Sequence, residues 1–195
     1  MEKSIKLFEN DFVLKNIINT VPKTLIQSTN NVFHDLMSCI LEQQIHYRST
    51  KKIFQKMLNT ASLEILTPEN FTQFEEKTFQ NANFSINKYE TIEQTIDFFK
   101  TNKTVWHELN DEEVISQLSS IKGIGKWTID MILLYTLQRP NIFPFDDFHL
   151  KNMMVKLYNL DEKSRLKAQM LEVASYWGEH KSLASLYILG YKKYL

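Results

Sequence analysis

Helix-breaking residues are scarce in this chain, and so are residues that could cross-link it. Among 195 residues there are four glycines, four prolines and a single cysteine, Cys39. A lone thiol excludes an internal disulfide, a thiolate-held structural zinc and an iron–sulfur cluster, each of which needs several sulfurs. Few turn formers leave little room for β-hairpins. Apolar runs long enough to span a bilayer are missing, and charge interrupts the opening "MEKSIKLFENDFVLKNIINT", so it holds no signal-peptide core. Cytoplasmic residence is expected. Net charge is also missing: Lys plus Arg equal Asp plus Glu at 23 each, and the pI is near 7.0. That balance argues against indiscriminate binding of nucleic acid but leaves room for a local basic face, with Lys51, Lys52, Lys122, Lys126 and Lys151 as candidates.

The residues that are abundant favour helices. Hydrophobic residues make up 43% and charged residues 24%, ordinary values for a globular chain. Val32, Phe33, Leu36, Met37, Ile40 and Leu41 recur at three- and four-residue steps, as one buried helix face should. Ser85 is a candidate N-cap before the face of Ile92, Ile96 and Phe99. Thr67-Pro68-Glu69 reads as another helix start, and Asp111-Glu112-Glu113 opens a third with carboxylates at the positive end of its dipole. A helix running from Leu166 is expected to end at Gly178, and a last one carries Leu183, Leu186 and Tyr187. No segment alternates with period two for long. The expectation is an all-α chain of roughly nine to eleven helices, a count set by typical helix lengths.

Two of the four glycines stand two apart in "SSIKGIGKWT", between a helix ending near Leu118 and the apolar run Ile129, Ile132, Leu133. Glycine accepts positive φ and has no Cβ, so this loop can turn sharply and let its N–H groups approach an anion at the start of the next helix. Lys122 and Lys126 flank it, and Ile124 should point into the core. Taken alone, Gly-x-Gly is equally consistent with a plain joint between helices. It is not a dinucleotide fingerprint, because no strand precedes it and no third glycine follows.

Further on, Phe143-Pro144-Phe145 leads to Asp146-Asp147 and the helical face of Leu150, Met153, Met154 and Leu157. One aspartate suffices as an N-cap, which leaves the other available for chemistry. The five histidines include no His-x-x-x-His pair. His149 and His46 could touch nucleic acid.

The combination "IKGIGKWTIDMIL…FPFDDFHLK" resembles the helix-hairpin-helix (HhH-GPD) DNA glycosylase superfamily, most closely its 3-methyladenine DNA glycosylase II, or alkylated-base, type. "CILEQQIHYRSTKKI", the Phe84–Lys88 segment and "HKSLASLYILGY" extend the resemblance over most of the chain from about residue 30. It implies a two-lobed all-α fold, one HhH-GPD domain over 1–195 with a cleft between the lobes and the hairpin at about 118–133. The expected fold is one without the N-terminal β-lobe of larger members. The catalytic aspartate falls on Asp147, twenty positions after Trp127, with Asp146 as the capping neighbour. Gly123 and Gly125, with Lys122, Lys126 and Thr128, would meet the DNA backbone, and Gln44, with Gln43 beside it, would fill the gap left by an extruded base. The main-chain carbonyls of Ser119, Ile121 and Ile124 would hold a monovalent cation, sodium or potassium; no cofactor is otherwise required.

Trp127 is a candidate base-stacking residue, with Phe33, Tyr47 and Phe148 as companions, though these three read more readily as core. The resemblance places Met131 at a pocket position that is often aromatic. Bifunctional members carry a lysine where Trp127 stands. Lys126 is one residue early, about 100° away around a helix. The resemblance therefore implies a monofunctional N-glycosylase for alkylated bases in base excision repair, a monomer acting on double-stranded DNA that contains a damaged base. Two other readings stay open: the same fold acting on oxidised or mispaired bases, and a non-catalytic helix-hairpin-helix DNA-binding protein.

Overall fold

The computed structural model describes residues 8–22, 28–42, 50–82 and 84–194, apart from the side chains of Thr50, Lys51, Lys52 and Asn81. Ten α-helices and no strand occur among the described residues. They are α1 (Phe12–Thr20), α2 (Val32–Glu42), α3 (Thr50–Ala61), α4 (Phe71–Thr78), α5 (Ile86–Thr101), α6 (Asp111–Ser119), α7 (Lys126–Met131), α8 (Phe148–Tyr158), α9 (Leu166–Ser175) and α10 (Lys181–Tyr191). None is long and apolar enough to cross a membrane.

The helices form two compact units. Residues 28–132 make one, and the described parts of 1–27 and 133–195 make the other. The change of unit falls where α7 runs into a π-helical turn, Ile132–Thr136.

In the unit of residues 28–132, α2 packs on α3 and α5 through the apolar face expected of it, fully buried at Leu36, Met37 and Ile40. Edge-on aromatic pairs fill the space under α3 and α4, Phe54 against Phe74 at 6.1 Å and Phe71 against Phe79 at 5.9 Å. His34 is buried here. The amide of Leu66 donates to its Nδ1 at 2.9 Å, so the ring accepts as a neutral imidazole, and burial holds its pKa below the ordinary value.

The second unit gathers α1, α8, α9 and α10 around Trp177, Leu150, Met154 and Ile188. Asp11 ties it together. One carboxylate oxygen caps α1 through the Leu14 amide at 2.9 Å; the other accepts from Tyr158 Oη at 2.8 Å and Trp177 Nε1 at 2.9 Å. Burial, reinforced by the charge of Asp11, pushes the Tyr158 phenol far up.

The helix starts expected at Ser85 and before Asp111 are present, the latter as a full capping box between Asn110 and Glu113. Thr67-Pro68-Glu69 is not a helix start. Asn70 turns its Oδ1 back to the Thr67 amide at 2.8 Å, closing a turn, and α4 begins only at Phe71. The helix from Leu166 ends at Ser175, and Gly178, at φ +55°, closes the turn that follows.

Candidate functional site

The hairpin lies within the unit of residues 28–132. Helix α6 ends at Ser119, Ser120–Gly125 turn, and α7 starts at Lys126 with Gly125 as its N-cap. Ile121 and Ile124 are buried beneath the loop, and the Ile124 amide closes the turn onto the Ile121 carbonyl at 3.1 Å. The two glycines do different work. Gly123 sits at φ +93°, and a Cβ there would lie 2.0 Å from Thr91 Oγ1 of α5, so both backbone conformation and packing exclude a side chain. Gly125 has an ordinary φ of −97°, and a Cβ there would meet nothing within 4 Å. The protein's own packing does not require glycine at 125.

Gly125, the N-cap of α7, has no side chain with which to cap the helix. The lysines beside the two glycines are tied to carboxylates: Lys122 Nζ to Glu90 Oε2 at 2.8 Å, and Lys126 Nζ to Asp130 Oδ2 at 2.5 Å. Asp130 is 5% exposed, so the second pair closes over a buried carboxylate on the following turn of the same helix. Trp127, 36% exposed, is the large aromatic that the start of α7 presents outward.

The second unit carries the aspartate loop. Phe143 packs edge-on against Trp177 at 5.6 Å, the Asp147 amide donates to the Pro144 carbonyl at 2.9 Å, and α8 then begins. Asp147 itself is the N-cap: its Oδ1 accepts from the amides of His149 at 2.9 Å and Leu150 at 2.8 Å, and the residue is 8% exposed. Asp146 is exposed on the turn before it. The capping role expected of Asp146 therefore falls to Asp147 itself. The cap does not exhaust the group, since a carboxylate has two oxygens and about four acceptor positions. Lys192 Nζ lies 2.8 Å from His149 Nδ1; burial foremost, then the Lys192 charge, lowers the His149 pKa against the opposing charge of Asp147.

The chain matches the model of the HhH-GPD superfamily of base excision DNA repair proteins over residues 37–178. It belongs to that family. The HhH-GPD match takes in both the hairpin and the aspartate loop. YfjP of Bacillus subtilis (strain 168) is 28% identical over 167 residues, which is 81% of this chain and 58% of that protein. DNA-3-methyladenine glycosylase 1 of Schizosaccharomyces pombe is 27% identical over 161 residues, 80% of this chain and 70% of the relative. The chain thus spans well under the full length of either. In structure it is similar to the 3-methyladenine DNA glycosylase Mag1 of S. pombe in complex with abasic DNA, with a TM-score of 0.80 at 22% identity, covering 99% of this chain and 97% of that one. That likeness establishes the HhH-GPD fold.

Within this HhH-GPD chain the expected site residues divide. Gly123, Gly125, Lys122, Lys126, Trp127 and the half-buried Met131 belong to the hairpin unit, whereas Asp147 and the 62%-exposed Phe148 belong to the other. Gln43, Gln44, His46 and Tyr47 lie outside the described residues, as do the side chains of Lys51 and Lys52. Two expectations are corrected. Phe33 is 3% exposed and packs against Phe99 at 5.3 Å, so its ring serves the core and not a base pocket. Thr128 is 1% exposed, so only its main chain can face a ligand.

Sequence reading missed Thr91 beneath Gly123, Glu90 and Asp130 opposite the lysines, and Lys192 behind His149. The i,i+4 spacing of Lys126 and Asp130 is a legible signal on a helix. Lys88, noted only as part of a resemblance, donates to the Leu41 carbonyl at 3.1 Å and lies over the Phe84 ring at 5.4 Å; desolvation lowers its pKa.

Proposed function

We propose that this protein is a monofunctional DNA N-glycosylase that removes alkylated bases of the 3-methyladenine type from duplex DNA. The observation that carries the reading is the buried carboxylate of Asp147, fixed by two amide donors at the head of α8 in an HhH-GPD chain. Its similarity to relatives named as 3-methyladenine glycosylases supports the choice of alkylated bases over oxidised ones.

The reaction begins with extrusion of the damaged nucleotide, which costs a few kcal/mol and least where stacking or pairing is already weakened. Departure of the base leaves an oxocarbenium-like sugar. The Asp147 carboxylate stabilises that charge and orients the water that attacks C1′, giving free base and an abasic site. An N-alkylated purine is cationic and leaves readily, so one carboxylate suffices. The exposed indole of Trp127 stacks on such an electron-poor base. Gly125 and the first amides of α7 meet a backbone phosphate, where an N–H donor needs no side-chain charge.

Strand cleavage through a lysine Schiff base is not expected. Trp127 stands where that lysine would be needed, and Lys126 is engaged by Asp130. The chemistry of the cation expected at the hairpin also fits. The donors are hard main-chain oxygens, and no hydrogen bond among the described residues ends on the carbonyls of Ser119 or Ile124. With Ile121 they would hold a sodium or potassium ion that adds positive charge beside the phosphate. The acting species is a monomer.

The test is a panel of duplexes carrying 3-methyladenine, 7-methylguanine, 8-oxoguanine or uracil, scored for free base and for abasic sites, with borohydride added in parallel. Release of the methylated purines with no trapped covalent complex is expected. Release of 8-oxoguanine alone would contradict the alkylated-base reading, and efficient trapping would contradict the monofunctional one.

A further inference from the structure

The loop that carries Asp147 is anchored by α10, whose Ser182 lies forty positions after Ile142. Ser182, in the first turn of α10, makes three well-formed bonds to the segment just before the aspartate. Its Oγ accepts from the Ile142 amide at 2.8 Å and donates to the Arg139 carbonyl at 2.5 Å, with the Ile142 carbonyl more distant at 3.4 Å. Its own amide donates to the Pro140 carbonyl at 3.1 Å. Next to it, Lys181 Nζ bridges Asn141 Oδ1 at 2.8 Å and the Gly178 carbonyl at 2.9 Å. Ser182 and Ile142 are both buried, so water cannot replace the hydroxyl. From Ile142 the chain has only five residues to reach Asp147. Phe143 is pinned against Trp177, and the Asp147 amide is fixed to the Pro144 carbonyl, so little slack remains.

The far end of α10 runs into Lys192, which touches His149 on the other side of the aspartate. One helix thus holds both flanks of the carboxylate. A serine used only as a helix cap would bond the amides of its own first turn. Ser182 spends both its donor and its acceptor on a different segment.

We propose that Ser182 is a positioning residue for Asp147: its hydroxyl sets the path of residues 139–142 and so the place of the carboxylate at the head of α8. The catalytic part of this inference rests on the glycosylase reading above; the positional part does not.

The test uses the full chain with Ser182→Ala, and with Ser182→Cys as a variant that keeps the volume but bonds weakly. Two readouts are taken: amide hydrogen exchange, and single-turnover base release against affinity for an abasic duplex. In both variants the His149 and Leu150 amides, which bond Asp147, should exchange at least about tenfold faster. The core amides of Ile17 and Met154 should keep wild-type protection. Base release should fall about ten- to hundredfold while abasic-duplex affinity stays within about twofold, since misplacement by an ångström costs rate and not grip. Unchanged His149 and Leu150 protection in the Cys variant would overturn the proposal. So would equal loosening of every amide, which would make Ser182 a support of the whole unit. If wild type released no base from any duplex, the glycosylase reading would fail, and the exchange result would still decide the role of Ser182.

Discussion

The hairpin loop and the aspartate loop are both short irregular links that end at a helix N-terminus, yet they are held by different means. Around Gly123 the hairpin is shaped by steric exclusion and main-chain bonds, and its charged side chains lie outside, paired with acids. The aspartate loop is shaped by the buried Ser182 side chain of a distant helix, and one of its two carboxyl groups, that of Asp147, is buried. A backbone-built loop offers amides to any phosphate of the right spacing, which suits a grip indifferent to sequence. A loop braced by side chains fixes one atom group closely, which suits chemistry.

The sharpest break of this contrast is at Gly123. Gly123→Ala must relieve both a φ of +93° and a 2.0 Å approach to Thr91, and should cost about 2–4 kcal/mol in denaturant unfolding. Adding Thr91→Ala should recover only the steric share. Gly125→Ala should behave oppositely. With open space around the added methyl, stability should stay within about 0.5 kcal/mol, while affinity for abasic duplex falls roughly tenfold, about 1.4 kcal/mol. Equal effects of the two glycines on stability would erase the distinction drawn between them.

Lys122→Ala tests whether charge or backbone carries the grip. The Lys122–Glu90 pair is exposed, so removing it should change stability by less than about 0.5 kcal/mol and affinity by only a few-fold, with the salt slope of binding reduced by at most about 1. The smallest effect concerns pH. His34 has a folded pKa below its ordinary 6.5, so its contribution is complete above that value. As pH falls below it, the unfolded chain takes up a proton that the folded chain resists, and stability declines toward the folded pKa. His34→Gln should flatten that part of the acid limb in a pH series of unfolding midpoints.

Some of this was legible in the residues and some was not. The hairpin stands out because glycine is rare here and two occur together, and the cap at Ser85 and the acidic helix start at Asp111 are local signals, whereas the Asn110 cap itself was not read. Which glycine serves the fold could not be read, because Thr91 lies on another helix. The aspartate pair was misread for a similar reason. Either residue could cap by type, and only the Pro144–Asp147 turn decides which carboxylate reaches the first amides of α8. Thr67-Pro68-Glu69 has a helix start's composition but spends its polar atoms closing a turn. Phe33 followed the apolar period into the core, as the pattern itself implied. Ser182 left no periodic trace, since helical patterning reports apolar positions and its partners are forty residues away.

The substitution Asp147→Asn separates the capping role of Asp147 from the catalytic role proposed for it. Asparagine caps a helix about as well as aspartate but carries no charge. Base release from 3-methyladenine duplex, measured under single turnover beside the thermal midpoint, should fall by more than about a hundredfold while the midpoint moves by less than about 2 °C. A variant that releases base at the wild-type rate would contradict the assignment of Asp147.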